Sequence, residues 1–200
     1  MKKKEIDLFN ILLGLVIGCV IGYFIFTQVS PSDIETNEPV IKEEVYGTVY
    51  TIQLGASTTI DNFNQTIERL NALGLYYELY EEGGKKYIFN SVYCSLDEAQ
   101  SKKQMLESYG FVVSIRSDYI LDLPKNVINE TYKYEFYSEV ITNLLYSLNN
   151  EPIIISDKYY LDPVDIEIFS NMSILMTIKN ETIKENYQLN TVCLLLNKLK

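Results

Sequence analysis

The sequence predicts an α+β chain. A βαββαβ domain, with a four-stranded antiparallel sheet and two helices on one face, follows a single transmembrane helix and precedes a mainly helical C-terminal region. Three features predict it: a self-similarity at a spacing of 36 residues, a nearly unbroken apolar run behind three lysines at the N-terminus, and apolar residues at helical spacing beyond residue 120. The implied organisation is a cytoplasmic tail at 1–7, the membrane helix at 8–28, a linker at 29–46, the repeat domain at 47–120 and the helical region at 121–200.

Leu8 to Phe26 is small or apolar apart from Asn10 and Tyr23. Its 19 residues would rise roughly 28 Å as a helix, which matches a bilayer core. Lys2, Lys3 and Lys4 precede it and hold that end in the cytoplasm, so the expected protein is single-pass in the cell membrane with its C-terminal domain outside. The lipid bilayer is then a partner. Leu15-Val16-Ile17-Gly18-Cys19 loosely resembles a bacterial lipoprotein cleavage box, but the apolar run continues through Phe26 and favours a span. Gly14, Gly18 and Gly22, spaced four apart, fall on one helical face that would let a second copy approach and give a homo-oligomer, or they reflect only the abundance of glycine in membrane helices. Gln28 to Tyr46, with Pro31, Pro39, Glu35, Glu38, Glu43 and Glu44, reads as an extended tether.

The repeat domain starts with Tyr50, Ile52 and Leu54 alternating with Thr51 and Gln53, the period of a half-buried strand. Ile60 to Leu73 carries Phe63, Ile67 and Leu70 on one helical stripe, and Gly74 ends it where a left-handed backbone is wanted. A second strand through Leu75, Tyr77 and Leu79 stops at Glu81-Glu82-Gly83-Gly84, a hairpin turn. The second copy repeats the plan: Ile88 takes the place of Ile52, Ser95-Leu96-Asp97-Glu98 is a capping box, Gly110 repeats Gly74, and Phe111, Val113 and Ile115 form the last strand.

With both helices on one face, the other face presents Thr51, Gln53, Tyr76, Glu78, Tyr80, Tyr87, Phe89, Val112, Ser114 and Arg116. Rings interleaved with amide, hydroxyl and guanidinium groups suit a flat polar ligand such as a sugar ring. The same face could instead be where residues 121–200 pack, because exposed aromatic patches mark binding surfaces of either kind.

Beyond residue 120, Tyr137, Val140, Ile141, Leu144 and Leu148 mark a helix over Tyr134–Leu148 that ends at Asn149-Asn150-Glu151-Pro152. Ile153-Ile154-Ile155 could be a strand. Asp162-Pro163 caps a helix carrying Val164, Ile168, Leu175 and Ile178, and Leu189 to Leu199 is a last short helix. The apolar stripes read as core.

A net charge of −10 repels phosphate backbones and counts against nucleic acid as a partner. The chain has no His, which removes the usual zinc ligand and the usual neutral-pH base. Neither a metal site nor a cofactor is expected, and there is no catalytic set. Acidic residues are plentiful enough for a glycosidase pair, but Glu78, Glu81 and Glu82 read as a solvated cluster.

Thr48–Ile120 resembles the sporulation-related repeat (SPOR) domain family. Its most specific part is Tyr50-Thr51-Ile52-Gln53-Leu54-Gly55-Ala56, close to the family's first strand, and Leu70, Gly74, Ala99, Leu106 and Gly110 agree in placement. Ser57, Lys85, Tyr87 and Ser91 depart from residues frequent in the family. The resemblance implies a ferredoxin-like fold and binding of peptidoglycan glycan strands stripped of their stem peptides. It implicates Gln53 in glycan contact, and together with the outward face of the sheet this makes Gln53, Thr51, Tyr87, Phe89, Tyr76 and Arg116 the candidate glycan-binding residues. The expected function is a non-catalytic, membrane-anchored envelope protein acting in cell division or sporulation, with proteins of that machinery as further partners. The alternatives are an interaction scaffold with a degenerate repeat fold and, third, a carboxylate-type wall hydrolase.

Overall fold

Side-chain alternation builds four strands, β1 (Thr48–Ser57), β2 (Glu78–Glu82), β3 (Lys85–Tyr93) and β4 (Ser114–Tyr119), in the computed structural model, which describes residues 46–159 and 162–200. They pair antiparallel in the order β2-β3-β1-β4, the sheet expected of a βαββαβ chain. Helix α1 (Asn64–Ala72), entered through a 3-10 turn at Ile60–Phe63, and helix α2 (Leu96–Ser108) connect the strands. Beyond a second 3-10 turn at Leu123–Val127 come α3 (Thr131–Leu148), α4 (Pro163–Leu175) and α5 (Glu181–Leu199).

The 36-residue repeat is visible in how the first two helices end. Gly74 and Gly110 both take positive φ, 64° and 80°, and the following amides, Leu75 N and Phe111 N, donate back to Leu70 O and Leu106 O at 2.9 and 3.2 Å. This is the six-to-one closure of a helix stopped by a left-handed residue. Arg69 joins the two ends: its guanidinium donates to Tyr109 O (2.6 Å) and Gly110 O (3.2 Å) and lies 4.6 Å from the Phe111 ring centroid. Ser95 Oγ accepts from Glu98 N at 3.4 Å, the first half of the capping box.

Irregular pairing between β1 and β3 sets which residues face which way. Phe89 pairs with Gln53 but Ser91 pairs with Ile52, so Asn90 is an extra residue. A bulge of this kind reverses the alternation beyond it. Phe89 and Val92, three apart, therefore point to the same face.

Each face of the sheet has its own core. Ile52, Leu54, Leu70, Ile88, Ala99, Leu106 and Phe111 fill the layer beneath α1 and α2. On the opposite face Val49, Tyr80, Phe89 and Val92 share a larger cluster with Phe136, Val140, Leu144, Ile168, Leu189, Val192 and Leu196 from the C-terminal helices. Helix α5 lies against β2 and β3, and all described residues belong to one compact unit. The sheet is thus sandwiched between two helical layers, with the second face occupied by residues 121–200 and not open.

The caps of α4 and α5 follow side-chain chemistry. Asp162 accepts from Val164 N and Asp165 N, both at 3.1 Å, with Pro163 in the first turn, and Asn180 accepts from Ile183 N at 3.1 Å. Helix α5 starts eight residues earlier than the expected Leu189, because Asn180 caps a polar first half that carries no apolar stripe. Ile153–Ile155 forms no strand: Ile154 N donates to Asn143 Oδ1 (2.8 Å) and Ser156 N to the Glu139 carboxylate, so α3 side chains take the place of a ladder partner. Ile178 lies beyond the end of α4.

The fold class needs one correction. The transmembrane helix at 8–28, its glycine stripe and the linker up to residue 45 lie outside the described residues, and among those described no helix is long and apolar enough to cross a membrane. The fold is a four-stranded antiparallel sheet with helices. The membrane helix, and the single-pass membrane localisation that rested on it, are withdrawn.

Candidate functional site

The six residues expected to bind glycan separate into a sealed set and an open one. Thr51, at the centre of β1, is fully buried, and its Oγ1 has no hydrogen-bond partner. Phe89 is also fully buried, stacked on Tyr80 (centroids 5.3 Å apart) and on Tyr87 (6.0 Å). Tyr87 is half-buried against the same cluster, and Gln53 is half-buried beside Phe89 in register. The stacking floor proposed for a sugar is therefore the floor of a protein core, because the C-terminal helices supply the apolar surface that rings of this area need.

Arg116 on β4 is committed as well. Its guanidinium lies over the Tyr80, Tyr87 and Phe89 rings at 5.2, 5.5 and 5.9 Å and donates to Asp118 (2.9 and 3.2 Å) and Glu82 (2.8 Å). Lys200 Nζ closes the group from beyond α5, 2.5 Å from Asp118 and 3.3 Å from Glu82. Two cations and two carboxylates cancel. Burial pushes Asp118 and Glu82 upward, but hydrogen bonds and charge from Arg116, joined by Lys200, hold both below the ordinary carboxylate range. Glu82 was expected to be solvated; it is instead half of a bridge between the sheet and the C-terminal layer.

Tyr76, just before β2, is the member of the set that lines an open cleft. The cleft, about 390 Å³, is walled by Glu167 and Asn171 of α4 and by Ile183, Asn186, Tyr187 and Asn190 of α5. These positions share faces by helical geometry: 167 and 171 are one turn apart, and 183, 186, 187 and 190 form a stripe. Along the floor, Tyr76 OH and Asn190 Nδ2 (2.9 Å) donate to Glu78 Oε1, while Asn171 Nδ2 donates to Asn190 Oδ1 at 2.6 Å. Glu78 is half-buried and not solvated as expected. Burial raises its carboxyl above the usual value, the Asn190 bond opposes this, and the charge of Glu167 adds to the rise. Among the described residues the side chains of Asn186 and Glu167 and the Tyr187 hydroxyl make no hydrogen bond. A second hollow of about 430 Å³, lined by Asn71, Leu75, Tyr76, Tyr77, Glu78 and Leu79, shares Tyr76 as a wall.

Sequence reasoning missed every cleft residue except Tyr76, since it read the C-terminal stripes as core. The signal was the spacing of Ile183, Asn186, Tyr187 and Asn190, a polar stripe on a helix whose other face is Leu189, Val192, Cys193 and Leu196. No three His, Cys, Asp or Glu side chains converge as a metal site among the described residues.

No family model matches the chain, and no curated protein matches it. Among solved structures, the solution structure of the peptidoglycan binding domain of the B. subtilis cell wall lytic enzyme CwlC is similar to part of it. The identity is 18%, the match covers 36% of this chain and 90% of that one, and the TM-score is 0.32.

Proposed function

We propose that this chain is a non-catalytic cell-wall-binding protein that contacts peptidoglycan glycan during division or sporulation. The observation that carries this reading is the open cleft at Tyr76, where tyrosine, asparagine and one carboxylate converge beside the edge strand of a repeat whose first strand resembles wall-binding domains. Such side chains offer both donors and acceptors to hydroxyl and amide groups. The face of the sheet is not the contact surface. Exposing Val49, Phe89 and Val92 alone would cost about 1.5–3 kcal/mol each, so an uncovered sheet would exist in fewer than roughly one molecule in a thousand.

A second reading, an interaction scaffold that keeps the repeat fold without binding sugar, is favoured by the same sealed face. Sedimentation of the full chain with intact and amidase-treated cell walls separates the two. Saturable retention on either wall supports the first reading, and none on both supports the scaffold. The same incubation tests catalysis: the supernatant is expected to hold no soluble wall fragments. Release that disappears in Glu167→Gln would make the chain a hydrolase.

A further inference from the structure

We propose that the cleft between Tyr76, α4 and α5 takes a primary ammonium group on an aliphatic stem, the lysine side chain of a polypeptide partner. This goes beyond the wall reading, since an N-acetylated glycan carries no ammonium, and it names the partner chemistry that the scaffold reading requires.

The direction of the hydrogen bonds in the cleft selects a ligand that donates. An ionised carboxylate only accepts, so Glu78 Oε1 holds Asn190 with its Nδ2 turned inward at 2.9 Å. Asn190 Oδ1 is thereby turned the other way and accepts from Asn171 Nδ2 at 2.6 Å, which leaves Asn171 Oδ1 at the end of the row. Asn171 lines the cleft and is only 6% exposed, and among the described residues its Oδ1 accepts from nothing. A nearly buried amide oxygen without a donor is a cost to the free protein that an incoming N–H removes. One turn earlier on the same face of α4, the Glu167 carboxylate is another acceptor with no hydrogen bond, and the Tyr187 hydroxyl of α5 is a third. An ammonium brings three donors and no acceptor, which matches these three groups. A guanidinium brings five donors in a rigid fork and leaves some of them unmet.

Charge points the same way. The Glu78 carboxyl is raised first by burial and further by the charge of Glu167, and no Lys or Arg lines the cleft to offset the two carboxylates. Lys184, on the same helix as Tyr187, is held instead by Asn150 at 2.6 Å and Glu181 at 3.9 Å. A bound cation therefore relieves a repulsion that the free protein carries. A divalent metal fits less well, because among the described residues no three carboxylate or thiolate side chains converge to hold one. The stem has its own surface: Ile183 is exposed on the same stripe, and the Tyr76 and Tyr187 rings offer apolar area to methylenes and a ring face to the charge.

The test is an NMR titration of the full chain, following its asparagine side-chain amide signals. The probe is an acetylated and amidated alanine pentapeptide with one central lysine. Saturable shifts are expected, with binding at least tenfold weaker when the lysine is Nε-acetylated and several-fold weaker when it is replaced by arginine. Glu167→Gln, which removes a charge that bonds to no described residue, should weaken the lysine peptide about tenfold without lowering the melting temperature, and Tyr187→Phe should weaken it several-fold. Glu68→Gln makes the same change in net charge on exposed α1, across the sheet from the cleft, and should leave affinity unchanged. No saturable binding by the wild type overturns the assignment, as does equal affinity for the acetylated peptide or normal binding by Glu167→Gln. Tighter binding of cadaverine than of the peptide would make the ligand a free diamine and overturn the polypeptide partner. If the wild type sediments with walls but binds no lysine peptide, the ammonium site is wrong and the wall reading survives. If the peptide binds in a Glu167-dependent way but no wall retains the chain, the site stands and the wall reading falls.

Discussion

Thr51 is a threonine with nothing to bond to. Its backbone pairs on both sides, with Val92 of β3 and Arg116 of β4, and its Oγ1 is buried without a partner in a layer otherwise made of Val49, Phe89 and Val92. An unmade hydrogen bond in such a place costs about 1–3 kcal/mol of desolvation, whereas a methyl of the same shape costs nothing. Thr51→Val, isosteric and better suited to a central strand, is therefore expected to raise stability by roughly 1 kcal/mol, read as a higher denaturant midpoint at unchanged slope. A lower midpoint would mean that the hydroxyl has a partner after all. Cys193 shows the opposite fit of residue to place: it is buried beside Val192 with its thiol pushed up by burial, a small apolar filler that needs no partner and does not bridge to Cys94.

At the scale of elements, the two helix ends of the repeat look alike but should respond differently to mutation. A Cβ at Gly74 would meet nothing within 4 Å, while one at Gly110 would come 3.1 Å from Arg69 Nη2. Both positions need positive φ, so Gly74→Ala should cost about 1 kcal/mol from backbone strain alone. Gly110→Ala should cost more, because it also disturbs the guanidinium that bonds Tyr109 O and Gly110 O. Equal losses in paired thermal melts would mean that the Arg69 bridge adds nothing. These ends were legible in the sequence because a glycine after an apolar helical stripe is a local signal, and the 36-residue spacing supplied it twice. The long α5 was not, since Glu181 to Gln188 is polar and its helix depends on the Asn180 cap and on contact with the sheet. Nor was the ownership of the second face: Tyr80, Tyr87 and Phe89 declare an apolar surface, but only the tertiary packing of α5 decides whether a ligand or the chain itself covers it. The bulge at Asn90 was hidden for the same reason, since no glycine or proline marks it.

For the molecule as a whole, the two layers on the sheet are joined by charge as well as by core, and this gives the protein an acid limit with a definite sign. Glu82 on β2 and Asp118 on β4 are bound by Arg116 across the sheet and by Lys200 beyond α5, and both carboxyls titrate below their ordinary values. A depressed folded-state value means that the ionised form is favoured by folding, so the stabilisation is fully present above the unfolded carboxylate range, about pH 4, and disappears as pH falls through the folded values below it. Glu78 acts the other way. Its raised value means that folding favours the protonated acid, so its ionisation weakens the fold at neutral pH and the loss is recovered as pH falls toward 4. Stability should therefore change little or rise slightly from pH 7 to about 5, then fall below about 4. Asp118, almost fully buried at its carboxylate, dominates the acid side, and removing one partner from a buried ion pair costs about 3–5 kcal/mol. For Asp118→Asn we expect somewhat less, roughly 2–3 kcal/mol at pH 7, because Glu82 still faces both cations and the amide can keep one hydrogen bond. Melting temperatures of the wild type, Asp118→Asn and Glu78→Gln between pH 2.5 and 7 would test this. The wild-type and Asp118→Asn curves should converge at the acid end, while Glu78→Gln should lose the recovery between pH 7 and 5. A constant gap between the first two curves down to pH 2.5 would mean that Asp118 stabilises by shape and not by charge, and that the ion group is not what ties α5 to the sheet.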